Sequence, residues 1–213
     1  MIRINTLNLG ASGQISRMLI DRLLTERDDQ LTLYARHADD RLTSYADNSR
    51  VTIVNGDLSD EKRLNETMPG QDIVYADSDK VVTPILKAMQ ENGVKRLVVA
   101  GVLGVYDEVG GRFGEWNRSI IGEISPERKQ RVQEIENSGL DYTYMRLTWL
   151  YNQPGNVRYQ EAQKGAPFVG AQITRQAVVQ YLMDVIANPE KYIKVSVGLS
   201  EPGSEKLDKQ SFY

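Results

Sequence analysis

Apolar positions recur along this chain with two alternating periods. Ile2 to Leu9 is a short apolar run of strand length, after which Ile15, Met18, Leu19 and Leu23 fall at the spacing of one helix face. Gln30–Ala35 alternates as a second strand, followed by a polar turn from Arg36 to Asp40. A weak helical stretch from Asp40 to Asp47 leads to a third strand, Val51–Val54. Ser59 is the expected cap of a short helix reaching Met68, with Glu61 and Lys62 in its first turn. Asp72–Ala76 reads as a fourth strand and Val81–Asn92 as a helix stopped by Gly93. Lys95–Ala100 is a fifth strand, nearly all apolar, as a strand buried on both faces is. Strand and helix thus alternate five times. The pattern predicts an α/β fold of three layers, with a mostly parallel, doubly wound sheet, right-handed crossovers and helices on both faces.

The second half is less regular. Gly101 to Glu123 is a long connection carrying Gly110-Gly111, Phe113 and Trp116, too long for a passive loop and therefore a candidate lid or substrate wall. Pro126 opens a charged helix that ends at Ser138-Gly139, and Tyr142–Leu147 is a sixth strand. Trp149-Leu150-Tyr151 and a Pro154-Gly155 turn follow, then an amphipathic helix, Ala177–Ile186, and a final strand, Ile193–Val197. The tail from Ser200 to Tyr213 is polar and is expected on the surface, packed through Phe212 and Tyr213. No internal repeat or low-complexity linker divides the chain. One domain over residues 1–213 is expected, with lid and substrate regions near 101–124 and 148–175 forming a small C-terminal substrate lobe.

The junction of the first strand and helix, Leu9-Gly10-Ala11-Ser12-Gly13-Gln14-Ile15-Ser16, narrows the function. A strand, a tight glycine turn and a helix N-terminus aim backbone N–H groups and the positive end of a helix dipole at one spot, where an anion belongs. Gly10 and Gly13 hold two of the three glycine places of a dinucleotide fingerprint, and Ser16, small enough to pack, takes the third. A tight turn without a ligand is the alternative for this motif taken alone.

Composition then removes other classes. Of 213 residues, 40% are hydrophobic and 26% charged, values of a globular protein with a substantial core. The absence of cysteine excludes disulfides, thiolate nucleophiles and cysteine-held zinc, and the single histidine, His37, excludes a histidine-rich metal site. A net charge of −3 gives no footprint for nucleic acid or an anionic membrane. The local basic run from Arg128 to Arg131 reads as a solvated helix face. No apolar run has spanning length and no signal peptide is read, so a cytoplasmic protein is expected.

The end of the second strand reads the dinucleotide. No acid stands there to hold a free ribose hydroxyl; Arg36 does, which favours NADP over NAD because a guanidinium offers forked donors to a 2′-phosphate. An ordinary surface arginine, with Asp39 and Asp40 near enough to neutralise it, is the other reading. Asp57 could accept from the adenine amino group with Leu58 against the ring, or simply serve the turn. Ala76 sits where the middle of the cofactor would pass, and next to it Asp77 is out of place, since a carboxylate repels a pyrophosphate.

Together these stretches resemble the atypical short-chain dehydrogenase/reductases, and within them the small bacterial NmrA-like NAD(P)-binding proteins. The resemblance is carried by Gly10–Ile15, Gly56-Asp57-Leu58, Gly93–Leu97, Leu103–Val109 and Ser138–Arg146. It implies a Rossmann fold with NADP(H), or NAD(H), at the glycine loop, on Gly10, Ser12, Gly13, Gln14 and Ile15. It does not supply an active site. Active members of the wider superfamily carry a serine after the fifth strand and a tyrosine four residues before a lysine. Here Gly101-Val102 stand in the serine's place, and no Tyr-x-x-x-Lys occurs. Tyr106 is the candidate proton donor, or a tyrosine packing the lid, and Thr148 the candidate for the nicotinamide carboxamide, with Trp149 as a pocket wall or as core. Two functions follow. One is a reductase of a small carbonyl or quinone-like substrate. The other is a dinucleotide sensor acting through a homodimer or a regulatory protein partner.

Overall fold

The computed structural model describes residues 3–212; Ile2 and Tyr213 lie outside the described residues. In chain order the strands and α-helices are β1 (Asn5–Leu9), α1 (Gln14–Glu26), β2 (Gln30–Ala35), α2 (Ala38–Arg41), β3 (Val51–Asn55), α3 (Glu61–Thr67), β4 (Ile73–Ala76) and α4 (Thr83–Glu91). Then come β5 (Arg96–Val102), α5 (Gly111–Ile121), α6 (Pro126–Asn137), β6 (Asp141–Leu147), β7 (Trp149–Tyr151), β8 (Gln160–Gln163), β9 (Gln172–Thr174), α7 (Arg175–Ala187) and β10 (Val195–Ser200). Eight strands pair in the order β3-β2-β1-β4-β5-β6-β10-β8, all parallel except the β10–β8 pair at the edge. Strand order reverses between β1 and β4, which pair through Leu9↔Ala76 at their carboxyl ends. Ligands of open α/β sheets bind outside such a switch point.

Alternation along β1 divides the core in two. Leu7 and Leu9 join Val74, Ala76, Leu97 and Val99 under α3, α4 and α6. The opposite face carries Leu31, Leu33, Tyr75, Val98 and Met145 under α1 and α7. The polar exceptions on that second face, Asn8 and Ser16, are buried together, and the Ser16 hydroxyl donates to Asn8 Oδ1 at 3.0 Å. This is how serine replaces the packing glycine at the sheet. Apolar positions of α7 lie on all sides, with Tyr181 held between the rings of Tyr159 and Tyr192, so the helix is core rather than amphipathic cover.

Several boundaries move, each for a local reason. Asp60, not Ser59, caps α3 by accepting from Arg63 N, because the Ser59 hydroxyl and amide are both given to Asp57 Oδ1. The weak helix at 40–47 is two pieces, α2 and a 3-10 turn at Thr43–Tyr45. The last strand starts at Val195 rather than Ile193, since Tyr192 and Lys194 sit at φ of 61° and 55°, outside the strand region. The long connection after β5 contains α5. Two short elements carried no period to find: the polar edge strand β8, and the β7–β9 pair, which register Trp149↔Gln172 through Tyr151↔Thr174. The tail packs through Phe212, stacked on Tyr151 at 5.0 Å between centroids.

Candidate functional site

The glycine turn is closed by its own backbone. Gly10 N and Ala11 N donate to Tyr34 O at 3.0 and 3.1 Å, and Gly13 N donates to Gly10 O at 2.9 Å. Gly10 takes φ +88°, a conformation that costs other residues. These bonds leave the first-turn amides of α1, at Gln14 and Ile15, with no intrahelical partner, and no side chain caps them. Gln14 is exposed and the Ile15 side chain is core, so what both offer at the turn is the backbone amide. Asp77 closes the turn from the β4 side. A Cβ on Gly13 would fall 1.8 Å from Asp77 Oδ2, so glycine is required there by this carboxyl. Desolvation pushes the Asp77 carboxyl up to about 6, while hydrogen bonds from Tyr75 and Ser16 pull against it.

Beyond the turn lies a groove of about 350 Å³ along the carboxyl ends of β1, β2 and β3. Gly10, Ser12, Arg36, Asp57 and Leu58 line it as the sequence suggests. Two charged lining residues escaped sequence reasoning, Arg41 on α2 and Lys80 after β4, while Ser78 lines the groove from the stretch after β4 where the sequence places the middle of the cofactor. Arg36, Arg41 and Lys80 are all exposed, against the single carboxylate of Asp57, so the groove is net positive. The acid facing Arg36 is Asp57, at 3.7 Å from Nε, not Asp39 or Asp40. Asp57 Oδ1 is engaged by Ser59, which holds its pKa below the ordinary carboxylate range. Tyr34 forms the floor: its hydroxyl donates to Asp57 O at 2.7 Å, and its ring leaves no room for a side chain at Gly56. Ala76 is buried behind this groove, beside a small void shared with Ser78 and Val81.

At the β5–β6 end, Gly101 is filled from the side. A Cβ there would fall 2.0 Å from Tyr144 Cζ and 2.2 Å from its oxygen, so the phenol of β6 occupies the space of a residue-101 side chain. The Tyr144 hydroxyl donates to Asp79 Oδ2 at 2.7 Å, and burial, followed by the Asp79 charge, pushes its pKa well up. Asp79 is fully buried and receives Arg128 through both oxygens, Nε at 2.9 Å and Nη2 at 2.6 Å, while Arg131 donates to its carbonyl at 2.9 Å. Lys129 reaches Asp107 at 2.8 Å. The basic run of α6 is therefore not a solvated face: it closes a buried carboxylate that the β4–α4 turn brings inward. Tyr106 lies past this cluster and lines neither the groove nor the second cavity. Its hydroxyl donates to Glu136 at 2.7 Å, with Lys164 over its ring at 4.5 Å.

The second cavity, about 270 Å³, opens between α5 and the carboxyl ends of β5 and β6. Val102, Ile121 and Leu147 give it apolar walls, and Asn117, Thr148 and Arg175 its polar points. Trp149 lines it as well, its indole N–H donating to Asn117 at 2.9 Å and its ring 5.0 Å from that of Trp116. Thr148 is 4% exposed and its hydroxyl has no hydrogen-bond partner. Buried hydroxyls are rarely left so, and those of Thr6, Tyr181 and Ser196 share this state; that of Thr148 is the one beside this cavity. Another depression lies at the opposite, amino-terminal edge of the strands between Arg3, Asp72 and Pro189, away from the switch point. Among the described residues no acidic or histidine cluster could hold a metal ion, and no helix is long and apolar enough to cross a membrane.

Comparisons agree with this geometry. Residues 10–189 match the family model described as NAD(P)H-binding. A short-chain dehydrogenase/reductase (wide type) from Veillonella parvula, solved in complex with NADP, superposes with a TM-score of 0.91 at 30% identity over 99% of this chain and 100% of that one. A Rossmann-fold NAD(P)-binding family protein from Shigella flexneri gives 0.81 at 32% identity, with both chains covered in full. ChuY, an anaerobilin reductase from Escherichia coli O157:H7, shares the fold alone, with a TM-score of 0.75 at 19% identity over 93% of this chain and 98% of that one. No curated protein sequence matches the chain.

Proposed function

The chain belongs to the NAD(P)H-binding family, as an atypical short-chain dehydrogenase/reductase, and from that premise we propose an NADP-dependent reductase of a small carbonyl or quinone-like substrate. The observation that carries the proposal is the apolar-walled cavity at the carboxyl ends of β5 and β6, which leaves room for a substrate beside the place where the nicotinamide end of the cofactor would lie. The residues fit the cofactor. The amides of Gln14 and Ile15 receive the pyrophosphate, with Gly10, Ser12 and Gly13 shaping the turn. Arg36, with Arg41 and Lys80 nearby, neutralises a 2′-phosphate, which the NADP complex of the Veillonella relative supports. Leu58 packs against the adenine, and Asp57 Oδ2 holds Arg36. Thr148 would offer its hydroxyl to the carboxamide at the nicotinamide end.

When bound, the reduced cofactor supplies a hydride, and one proton completes the two-electron reduction of the substrate carbonyl. The walls of Val102, Ile121 and Leu147 exclude water from one side of the reacting carbon. Arg175 is the only ionisable side chain lining the cavity, so the proton comes from solvent, and Tyr106, held by Glu136, has no role in the step. The region 101–124, with α5, acts as the lid of this cavity. A second reading, a non-catalytic NADP(H) sensor, draws on the same placement of Tyr106 and on the missing Tyr-x-x-x-Lys pair.

Mixing the protein with NADPH and a panel of quinones, aldehydes and flavins, and following absorbance of the reduced nicotinamide, separates the two. Oxidation of NADPH with at least one quinone or aldehyde is expected, together with a rise in Tm that is larger for NADPH than for NADH. A Tm rise with no turnover across the panel leaves the sensor. No Tm rise with either nucleotide removes both.

A further inference from the structure

The second cavity has one charge, and it has no counter-ion. Arg175 opens α7 on its first turn; its Nη1 donates to Asn152 Oδ1 at 3.2 Å, and among the described residues no carboxylate stands within ion-pairing distance. Two arginines that face the interior meet a carboxylate, Arg128 at Asp79 and Arg146 at Glu108, and buried Arg96 is satisfied instead by backbone carbonyls and the Thr143 hydroxyl; Arg175 has only Asn152. The remaining lining is apolar or neutral, and the hydroxyl of Thr148 is buried there without a partner. A guanidinium held half-buried at the rim of an apolar pocket, bonded only to the neutral Asn152, selects for a planar anion.

We propose that the substrate taken by this cavity is a flat aromatic or quinonoid molecule bearing a carboxylate, and that Arg175 reads the carboxylate while Val102, Leu147 and the Trp149 ring hold the ring system. This rests on the oxidoreductase reading only for the word substrate; the binding site itself does not need turnover. The cavity of about 270 Å³ opens to solvent, so a flat ring system can lie across its mouth beside the nicotinamide, and the Trp149 ring favours a planar face over an aliphatic chain.

The chain carries its own probe for the test. Of its two tryptophans, Trp149 lines this cavity and Trp116 packs against Trp149 at 5.0 Å, so intrinsic fluorescence reports occupancy here. The experiment titrates the NADPH-loaded protein with 9,10-anthraquinone-2-carboxylate and with its neutral carboxamide, reading tryptophan quenching. The carboxylate is expected to bind about ten- to hundredfold more tightly, the range of one hydrogen-bonded charge. Arg175→Gln is expected to bring the carboxylate down to the carboxamide's affinity, and Arg175→Lys to keep part of the preference. An unchanged NADPH-induced rise in Tm shows that the variants are folded.

Equal binding of the two quinones, a preference that survives Arg175→Gln, or quenching by neither compound overturns the proposal. Failure of the function reads differently. Arg175-dependent quenching with no loss of NADPH absorbance sinks the reductase and keeps the anion site. Turnover of charged and neutral quinones alike, with no Arg175 effect, does the reverse.

Discussion

At the β1–β3 side of the sheet, the residues that face a ligand stand within a few places of a strand's carboxyl end: Gly10 and Ser12 after β1, Arg36 after β2, Asp57 and Leu58 after β3. At the β5–β6 side they come from five elements spread between Val102 and Arg175, and the nearest buried charges are closed by partners far away in sequence, as Asp79 is by Arg128. The first region is built by local backbone geometry, and its polar groups are mostly exposed. The second is built by tertiary packing, and its charges are buried. Substitution of an exposed charge in the first should therefore act on ligand affinity, and of a fully buried ion-paired charge in the second on stability.

The sharpest way to break this contrast is Arg128→Ala. If α6 presents a solvated face, the loss is within about 0.5 kcal/mol, as for ordinary surface positions. With Asp79 buried and left to Tyr144 alone, a loss of about 3 kcal/mol is expected, reduced somewhat by the partial exposure of Arg128. Urea denaturation of the unliganded protein measures it, and a value near zero would remove the buried cluster as a support of this side.

Asp77 tests the first region from the other direction, because it is the one group there whose burial matters. Its carboxyl titrates near 3.8 when free and near 6 in the fold. Folding therefore takes up a proton between those values: the contribution of Asp77 is full below about pH 4 and is lost as pH rises through about 6. At pH 7.5 the ionised form is held at a cost on the order of 2 kcal/mol. Asp77→Asn, which keeps an acceptor for the Tyr75 hydroxyl, is expected to stabilise the protein by about that amount at pH 7.5 and by almost nothing near pH 4. It should also tighten NADPH binding by removing a negative charge beside the cradle. An equal effect at both pH values would contradict it.

The smallest effect is expected at Arg36, exposed and only loosely paired to Asp57. Arg36→Ala should narrow the preference for NADPH over NADH by about tenfold, near the 1.4 kcal/mol of one exposed charge-assisted contact, with Tm of the free protein unchanged. Calorimetric titration of both nucleotides checks it. A native protein that binds them equally would move the 2′-phosphate away from this groove.

Arg36, Asp57 and Leu58 were legible because each directly follows an apolar strand, and strand ends are where open sheets bind. Arg41 and Lys80 were not, since they reach the same groove from a short helix and an irregular turn that no period announces. Arg175 was hidden by its position at the start of a helix whose apolar pattern spoke only of packing. Asp77 drew notice as a misplaced charge, but its contact with Gly13 comes from the pairing of β1 with β4, across more than sixty residues.

By itself the sequence determined the alternation of strand and helix, the parallel sheet that follows from it, and the glycine turn before α1, because these depend on periods and φ preferences within a few residues. Only the tertiary structure decided which groups are satisfied. It put Tyr144 in the space beside Gly101, gave the α6 arginines to Asp79, tied Tyr106 to Glu136, and left Thr148 and Arg175 open in one cavity. Pairing of that kind is set by which strands lie side by side, and the chain states it nowhere locally.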